Sequence, residues 1–500
     1  MLTSLLLAWG AVALGREQPP AVSWRPLDEV LRSTLRAEAL QGSVYSIMLV
    51  DLESGQEIFS HQPQLILNPA SVTKIFTTAA ALCLLHPEYR FKTELYISKK
   101  PAGGVISGPI YLKGYGDPLL VDERMALLAA QIRARGIKRI DGPLFIDESF
   151  FDGERDGPGW EQENGSDAYL APSGALNANF NTLQLFIMPG EREGLPAQVD
   201  LLPPSLAVKL ENRILTHHRS TLVRTELRTE GDRIRLTLRG VISRTHPGLE
   251  SRVRVDRPGE YTAAALLAWL RQQGIAAPER IRRGTVSPDA ELYLTSYSPP
   301  VSDLVRVVNK ISQNFVAEQL FKTLGAEFLG PPASWRKGQL VMEKFLEEEA
   351  GIAPGTYVLH NGSGLNDVNR VSAAQVVKLL RAIWRRFDVQ ADFAASLALA
   401  GADGTMTGRL THPALIRRLR VKTGGLHNSR SLAGYLENSA GRRFAFAIIV
   451  NDYRTDGVEV TRVIDDFISA VVFSDAQLSV PREIDSLPME LLFSGEQSVQ

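Results

Sequence analysis

The spacing of apolar residues changes character several times along the chain, and each change predicts a different element. Leu27, Leu31 and Leu35 recur at helical spacing and predict a helix over 27–39. Residues 44–52 are rich in β-formers, break at the turn Glu53-Ser54-Gly55 and resume over 56–60, which predicts a hairpin. Asn68-Pro69 is a turn signal, and the unbroken apolar run from Ile75 to Leu82 after it predicts a helix. Residues 89–98 read as a further strand. From about Gly103 short strands, at 110–113 and 144–147, alternate with Gly/Pro/Asp turns, and 124–135 has helical spacing. Residues 152–166 are a loop rich in glycine and charge. Residues 183–254 are mostly strand-like, with Ile234, Leu236 and Leu238 alternating with Arg235 and Thr237. Residues 261–273 form an amphipathic helix.

Helical patterns then return. One runs through Val305, Val308, Ile311, Val316 and Leu320, another over 335–349, and a third over 372–386. Ser302-Asp303 is a cap for the first. Residues 419–421, 431–436 and 443–450 alternate as antiparallel strands do, and a last helix is expected over 457–473. The tail after Pro481 carries no pattern. The chain thus begins one α/β fold, leaves it over roughly 94–287 for inserted material, and resumes it afterwards.

Composition narrows the class. The 500 residues are 44% hydrophobic and 22% charged, with a formal net charge of −1, which gives no sign of a nucleic-acid partner. Cys83 is the single cysteine, so no intramolecular disulfide forms, and its place in an apolar helix makes it packing. Residues 2–14 form an apolar run too short for an ordinary membrane span, and Ala13-Leu14-Gly15 offers small residues where a signal peptidase reads. Residues 1–15 are therefore expected to be a secretory signal peptide, and the mature chain an exported, periplasmic or cell-wall-associated protein without a transmembrane anchor. His217-His218 is a candidate metal pair, but no third ligand is suggested.

Three short patterns carry chemistry. In Ser71-Val72-Thr73-Lys74 the serine sits at a helix start and the lysine three residues on shares its face. A serine needs a neighbouring base to attack a carbonyl, and a lysine becomes one when burial or a nearby cation lowers its pKa. The helix N-terminus adds N–H groups that can stabilise an oxyanion. Ser312-Gln313-Asn314 places a hydroxyl and an amide two apart. They share no smooth helix face, but both can meet a cleft at a helix junction. Lys422-Thr423-Gly424-Gly425 follows a β-run; on a sheet edge it offers a cation, a hydroxyl and glycines that let a substrate backbone approach. Taken singly, each has an ordinary structural explanation.

In this order the three are the motif set of the serine penicillin-recognising enzymes. Ser71 and Ser312 lie about 240 positions apart and Ser312 and Lys422 about 110. The long first gap resembles the D-alanyl-D-alanine carboxypeptidase/endopeptidase family, the class C low-molecular-mass penicillin-binding proteins, rather than a β-lactamase. Tyr169-Leu170-Ala171-Pro172-Ser173, Ala175 to Asn179, Asn361-Gly362-Ser363-Gly364-Leu365 and Leu399 to Thr405 resemble further signatures of that family.

The resemblance implies a transpeptidase-like domain, an antiparallel sheet flanked by helices, built from 24–93 and 288–485. It implies mainly-β domains inserted between the first and second motifs: one from 94–180 and 262–287, the other from 181–261. It also implies a serine-type D-Ala-D-Ala carboxypeptidase with endopeptidase activity, acting on peptidoglycan stem peptides and acylated by β-lactams, with no metal or cofactor. Ser71 would be the nucleophile and Lys74 its base. Ser312 would relay a proton, Lys422 would hold a positive charge near Lys74, and Asn314 would hold the substrate amide. Thr423 would bind the terminal carboxylate, and Ser71 and Gly425 N–H groups, beside Gly424, would form the oxyanion hole. Asp156, before Gly157-Pro158-Gly159-Trp160, would receive the amine of a diamino acid.

Two departures stand out. Gln313 replaces the family's aspartate at a position without expected chemistry. Gly425 replaces a threonine or serine, so a carboxylate-binding hydroxyl is missing. The alternative reading is a catalytically weak relative serving as a peptidoglycan-binding or scaffold module. Gly425 by itself predicts weakened recognition of a terminal carboxylate, and hence turnover of a cross-linked muropeptide that holds up better than turnover of a pentapeptide. A strong preference for the pentapeptide would contradict that expectation.

Overall fold

The computed structural model of the chain describes residues 25–160, 167–202, 208–230, 233–278 and 280–474. The expected signal peptide and the patternless tail lie outside them. A six-stranded, wholly antiparallel sheet is assembled from both ends of the chain. Its order is Ala398–Leu399, Leu419–Leu426, Ser429–Glu437, Arg443–Asn451, Val44–Asp51, Glu57–His61. Both faces are covered, which is why Arg443–Asn451 reads as a nearly continuous apolar run and is buried along almost all its length. One face packs on helices Thr73–Ala80, Val301–Lys310, Asn314–Leu329, Trp335–Ala350 and Ala373–Trp384. The other packs on helices Arg25–Thr34 and Gly457–Val472.

The long helical pattern expected through Val305 and Leu320 is two helices, Val301–Lys310 and Asn314–Leu329. Ile311, at the break, is largely exposed. Ser312 adopts a left-handed backbone (φ 60°), and the Gln313 side chain accepts the Phe315 N–H to start the second helix. Helix Ala373–Trp384 begins with a capping box between Ser372 and Gln375. The first helix stops at Thr34, short of the expected end.

Between the two halves of the six-stranded sheet lie the inserted elements. A five-stranded mixed sheet runs Ile281–Arg283, Leu144–Asp147, Ile110–Gly114, Lys92–Ile97, Glu291–Tyr297 and packs on helices Asp122–Ala134 and Pro258–Gln272. Its strands at 92–97 and 291–297 pair with each other, so this sheet extends past the expected limits at 93 and 288. Two three-stranded sheets follow: Leu249–Arg254, Thr182–Met188, Gln198–Leu202, and Val208–His217, Arg233–Ser243, Leu222–Glu230. Leu185, Ile214, Leu236 and Leu238 join their inner faces with Tyr261 and Ala265 of helix Pro258–Gln272.

The insertion is tied to the main fold by a buried cation. The fully buried Lys322 on helix Asn314–Leu329 bonds Asp152 (2.6 Å) and the Glu154 carbonyl (2.9 Å), with its ammonium 4.0 Å from the centre of the Trp335 ring. Lys322→Met leaves the Asp152 carboxylate without its partner. It should lower stability by about 3 kcal/mol, read by chemical denaturation, and a change under about 0.5 kcal/mol would contradict this account.

Candidate active site

The turn Ala70–Val72 and the helix Thr73–Ala80 position Ser71 and Lys74. Asn68 fixes this turn. Its Oδ1 accepts the Ala70 N–H (2.8 Å), while its carbonyl accepts from Ser429 (2.9 Å) and Asn451 (3.0 Å). Ser431 Oγ donates to the Pro69 carbonyl (2.6 Å), so the turn is sewn to the strand beside Lys422-Thr423-Gly424. Two glycines are needed for this approach. A Cβ on Gly424 would lie 2.1 Å from Ser431 Oγ, and one on Gly364, itself at φ 74°, would lie 1.9 Å from the Ala70 carbonyl oxygen. Ala70 holds a left-handed backbone (φ 47°) immediately before the serine.

Lys74 is completely buried. Its Nζ donates to Ser71 Oγ (2.9 Å), Asn314 Oδ1 (2.8 Å) and the Ser363 carbonyl (2.6 Å). Burial lowers its pKa to about 7, against the Glu318 carboxylate, which raises it. Lys422, equally buried, donates to Ser312 Oγ (2.9 Å) and the Thr423 carbonyl (2.6 Å). Burial pushes its pKa well down, and the Lys74 charge pushes it further. Burial, one of the two causes the sequence offered, is what lowers Lys74; the lowering expected from the Lys422 charge does not act on it. The structure therefore joins Ser71, Lys74 and Asn314 in one hydrogen-bonded cluster, and Ser312 with Lys422 in a second.

Thr423 stands on the free part of its strand, since Ala398–Leu399 pairs only with Val421 and Arg420. Its hydroxyl donates to Thr405 Oγ1 (2.9 Å), and Gly425 is exposed. Asn314 Nδ2 donates to the Tyr169 carbonyl (3.1 Å). Asp156 is apart from these groups: its carboxylate is half-exposed and bonds Arg254 at 2.8 Å, so it is not an unpaired acceptor. The loop it begins does reach the cleft wall. Asn361 donates to the Pro158 carbonyl (3.1 Å), Asn366 to that of Gly159 (2.6 Å), and Trp160 packs with Leu170, Leu365 and Leu426.

Glu318 was missed by sequence reasoning. It is fully buried and accepts from the Gly362 N–H (3.0 Å), the Ser363 N–H (2.9 Å) and Trp335 Nε1 (2.8 Å). It thereby shapes the loop whose carbonyl holds Lys74. Its one signal is an acidic residue four positions after Asn314, between Ala317 and Leu320 on a largely buried helix face. One group among the described residues has metal-ligand composition: Glu193, absent from the sequence expectation, joins His217 and His218. His217 Nδ1 accepts the Ser220 and Arg219 N–H groups (2.9 and 3.2 Å), which puts the proton of its neutral ring on Nε2 and closes a surface turn. Cys83 is buried, and burial raises its thiol pKa to about 12.

A serine at a helix start, bonded to a buried lysine of lowered pKa and faced by a strand carrying Lys-Thr-Gly, defines a penicillin-recognising serine peptidase. The family profile of the D-Ala-D-Ala carboxypeptidase 3 (S13) family matches residues 27–471, and the chain belongs to that family. It is a serine-type D-Ala-D-Ala carboxypeptidase of the penicillin-binding class by that membership. It is 26% identical over 430 residues to the D-alanyl-D-alanine carboxypeptidase DacB of Haemophilus influenzae, covering 85% of this chain and 89% of the relative. It is 29% identical over 445 residues to a D-alanyl-D-alanine carboxypeptidase of an Actinomadura species, covering 85% and 81%. The crystal structure of Haemophilus influenzae penicillin binding protein 4 has the same fold, with a TM-score of 0.75 at 23% identity over 91% of this chain and 99% of that one, and that protein has also been solved in complex with a β-lactam.

Two substitutions test this construction. Gly364→Ala should cost about 3 kcal/mol of stability, because it puts a Cβ inside the Ala70 carbonyl at a positive φ. Glu318→Gln should cost about 2–4 kcal/mol, since an amide cannot accept from all three donors as a carboxylate does. Chemical denaturation reads both, and wild-type stability in either variant would contradict the assignment.

Proposed function

We propose that this protein removes the terminal D-alanine of peptidoglycan stem peptides through an acyl-enzyme on Ser71. The observation that carries the proposal is the 2.9 Å bond between Ser71 Oγ and a buried Lys74 whose pKa is lowered to about 7. Neutral Lys74 takes the hydroxyl proton as Oγ attacks the carbonyl of the penultimate residue. The oxyanion meets the N–H groups of Ser71 and Gly425. Ser312, bonded to Lys422, passes a proton to the departing amine, and the C–N bond breaks to release D-alanine. Water then hydrolyses the ester and returns Ser71. Asn314 orients the substrate amide, and Thr423, with the Thr405 hydroxyl beside it, receives the carboxylate.

The same acylation opens a β-lactam ring, and applied to a cross-link it is an endopeptidase step. The protein acts in the exported compartment where peptidoglycan lies; no helix among the described residues is long and apolar enough to cross a membrane. The catalytic domain is formed by the two ends of the chain, with two inserted domains between them. Asp156 receives the substrate's diamino-acid amine by exchanging its bond to Arg254. Asp156→Ala should then raise KM for diamino-acid peptides about threefold or more without lowering kcat; an unchanged KM would remove this role.

Labelling with a fluorescent penicillin, read by intact mass, tests the central step. One adduct per wild-type chain is expected and none on Ser71→Ala, with D-alanine release from a pentapeptide falling at least about 10³-fold in the variant. A folded wild type that takes no adduct and releases no D-alanine would contradict the proposal and favour the binding-module reading.

A further inference from the structure

The missing hydroxyl at Gly425 has a counterpart on the neighbouring strand. Gly425 pairs directly with Arg430. Alternation along Leu419–Leu426 separates two faces: a Cβ on Gly424 points at Ser431 Oγ and lies 3.2 Å from the Ser71 nitrogen, so Thr423 and Gly425 present the opposite face. Arg430 shares that face with Gly425, as residues of a directly opposed pair do. Its Nη1 is 3.5 Å from the point a Gly425 Cβ would occupy, so the guanidinium lies in contact distance beside the place where the side chain of residue 425 would begin. Nη1 donates to the carbonyls of Leu426 and Ser429 (2.9 Å to the latter), the head lies over the Tyr453 ring at 5.5 Å, and Nη2 is under Gly457. Among the described residues no carboxylate pairs with it, and the side chain is half-buried.

We infer that Arg430 is the residue that receives the free α-carboxylate of the substrate's last amino acid, in place of the absent hydroxyl at 425. This rests on the reaction proposed above and names a specificity residue for it. With the scissile carbonyl at Ser71, the carboxylate is one residue further on, about 4 Å along the chain, beside the strand segment 423–425. A guanidinium brings a carboxylate a full positive charge, where a hydroxyl offers one neutral donor, and Nη1 reaches the carboxylate by exchanging a bond to the Leu426 or Ser429 carbonyl. Glycine at 425 leaves the space beside the guanidinium open: a Cβ there would touch Nη1 at 3.5 Å, so a threonine hydroxyl and the guanidinium would serve the same place on that face. The two residues are thus alternatives, and the chain recognises a terminal carboxylate by charge.

The test compares kcat/KM for a D-Ala-D-Ala peptide with a free carboxylate against the same peptide as its C-terminal amide. Wild type should prefer the carboxylate. Arg430→Met should reduce that preference about tenfold or more, through KM for the carboxylate peptide, while Arg430→Lys keeps most of it. Gly425→Thr combined with Arg430→Met should restore the preference, which a merely structural role for Arg430 would not allow. An unchanged preference in Arg430→Met, or an equal loss on both peptides that Gly425→Thr does not rescue, would overturn the assignment. A wild type that hydrolyses neither peptide would overturn the proposed reaction itself and this assignment with it.

Discussion

Two lysine side chains lie fully buried between the six-stranded sheet and its covering helices, and the site depends on what that burial does. An ammonium in water keeps its proton to about pH 10. Removed from water, Lys74 holds its proton only below about pH 7. That one change is what the proposed role of Lys74 as the base for Ser71 requires. Its partners reinforce it: the Ser363 carbonyl and Asn314 Oδ1 fix the amine on the serine, and Glu318 limits how far the pKa falls. Lys422 pairs with Ser312 under the same exclusion of water.

Such burial requires close approach of distant pieces of chain. The Ser71 turn is bonded to strands more than 350 residues away through Ser429, Ser431 and Asn451. The Asn361–Leu365 loop closes over it because Gly364 has no side chain. The inserted segment contributes at one edge through its loop and short helical turn, where Trp160 and Leu170 meet Leu365 and Leu426, and the Tyr169 carbonyl accepts from Asn314. An insertion of nearly two hundred residues is therefore compatible with a compact site, because its ends return to the same helix bundle.

The sequence made Ser71 and Lys74 legible because their relation is local: three residues along one helix face decide it. The strands were legible from period and turn signals, and the antiparallel sheet follows from them. The break at Ser312 was harder. Apolar spacing runs through it, and only the left-handed backbone at Ser312 and the Gln313 cap separate the two helices. Glu318 was invisible because its three donors come from a loop and a tryptophan brought close only by folding. The Asp156 ion pair was not legible because its partner, Arg254, is about a hundred positions away. The pairing of Gly425 with Arg430 is set by a two-residue hairpin turn, and its consequence emerges only when the direction of the guanidinium is known.

The most direct test of the whole account is the pH dependence of the rate at which Ser71 is acylated by a penicillin. A neutral Lys74 base predicts a rate that rises with pH along a single limb with its midpoint near about 7, and a plateau above it. A rate constant that is flat from about pH 5 to 9, in a protein that stays folded, would mean that Lys74 is not the base that activates the serine.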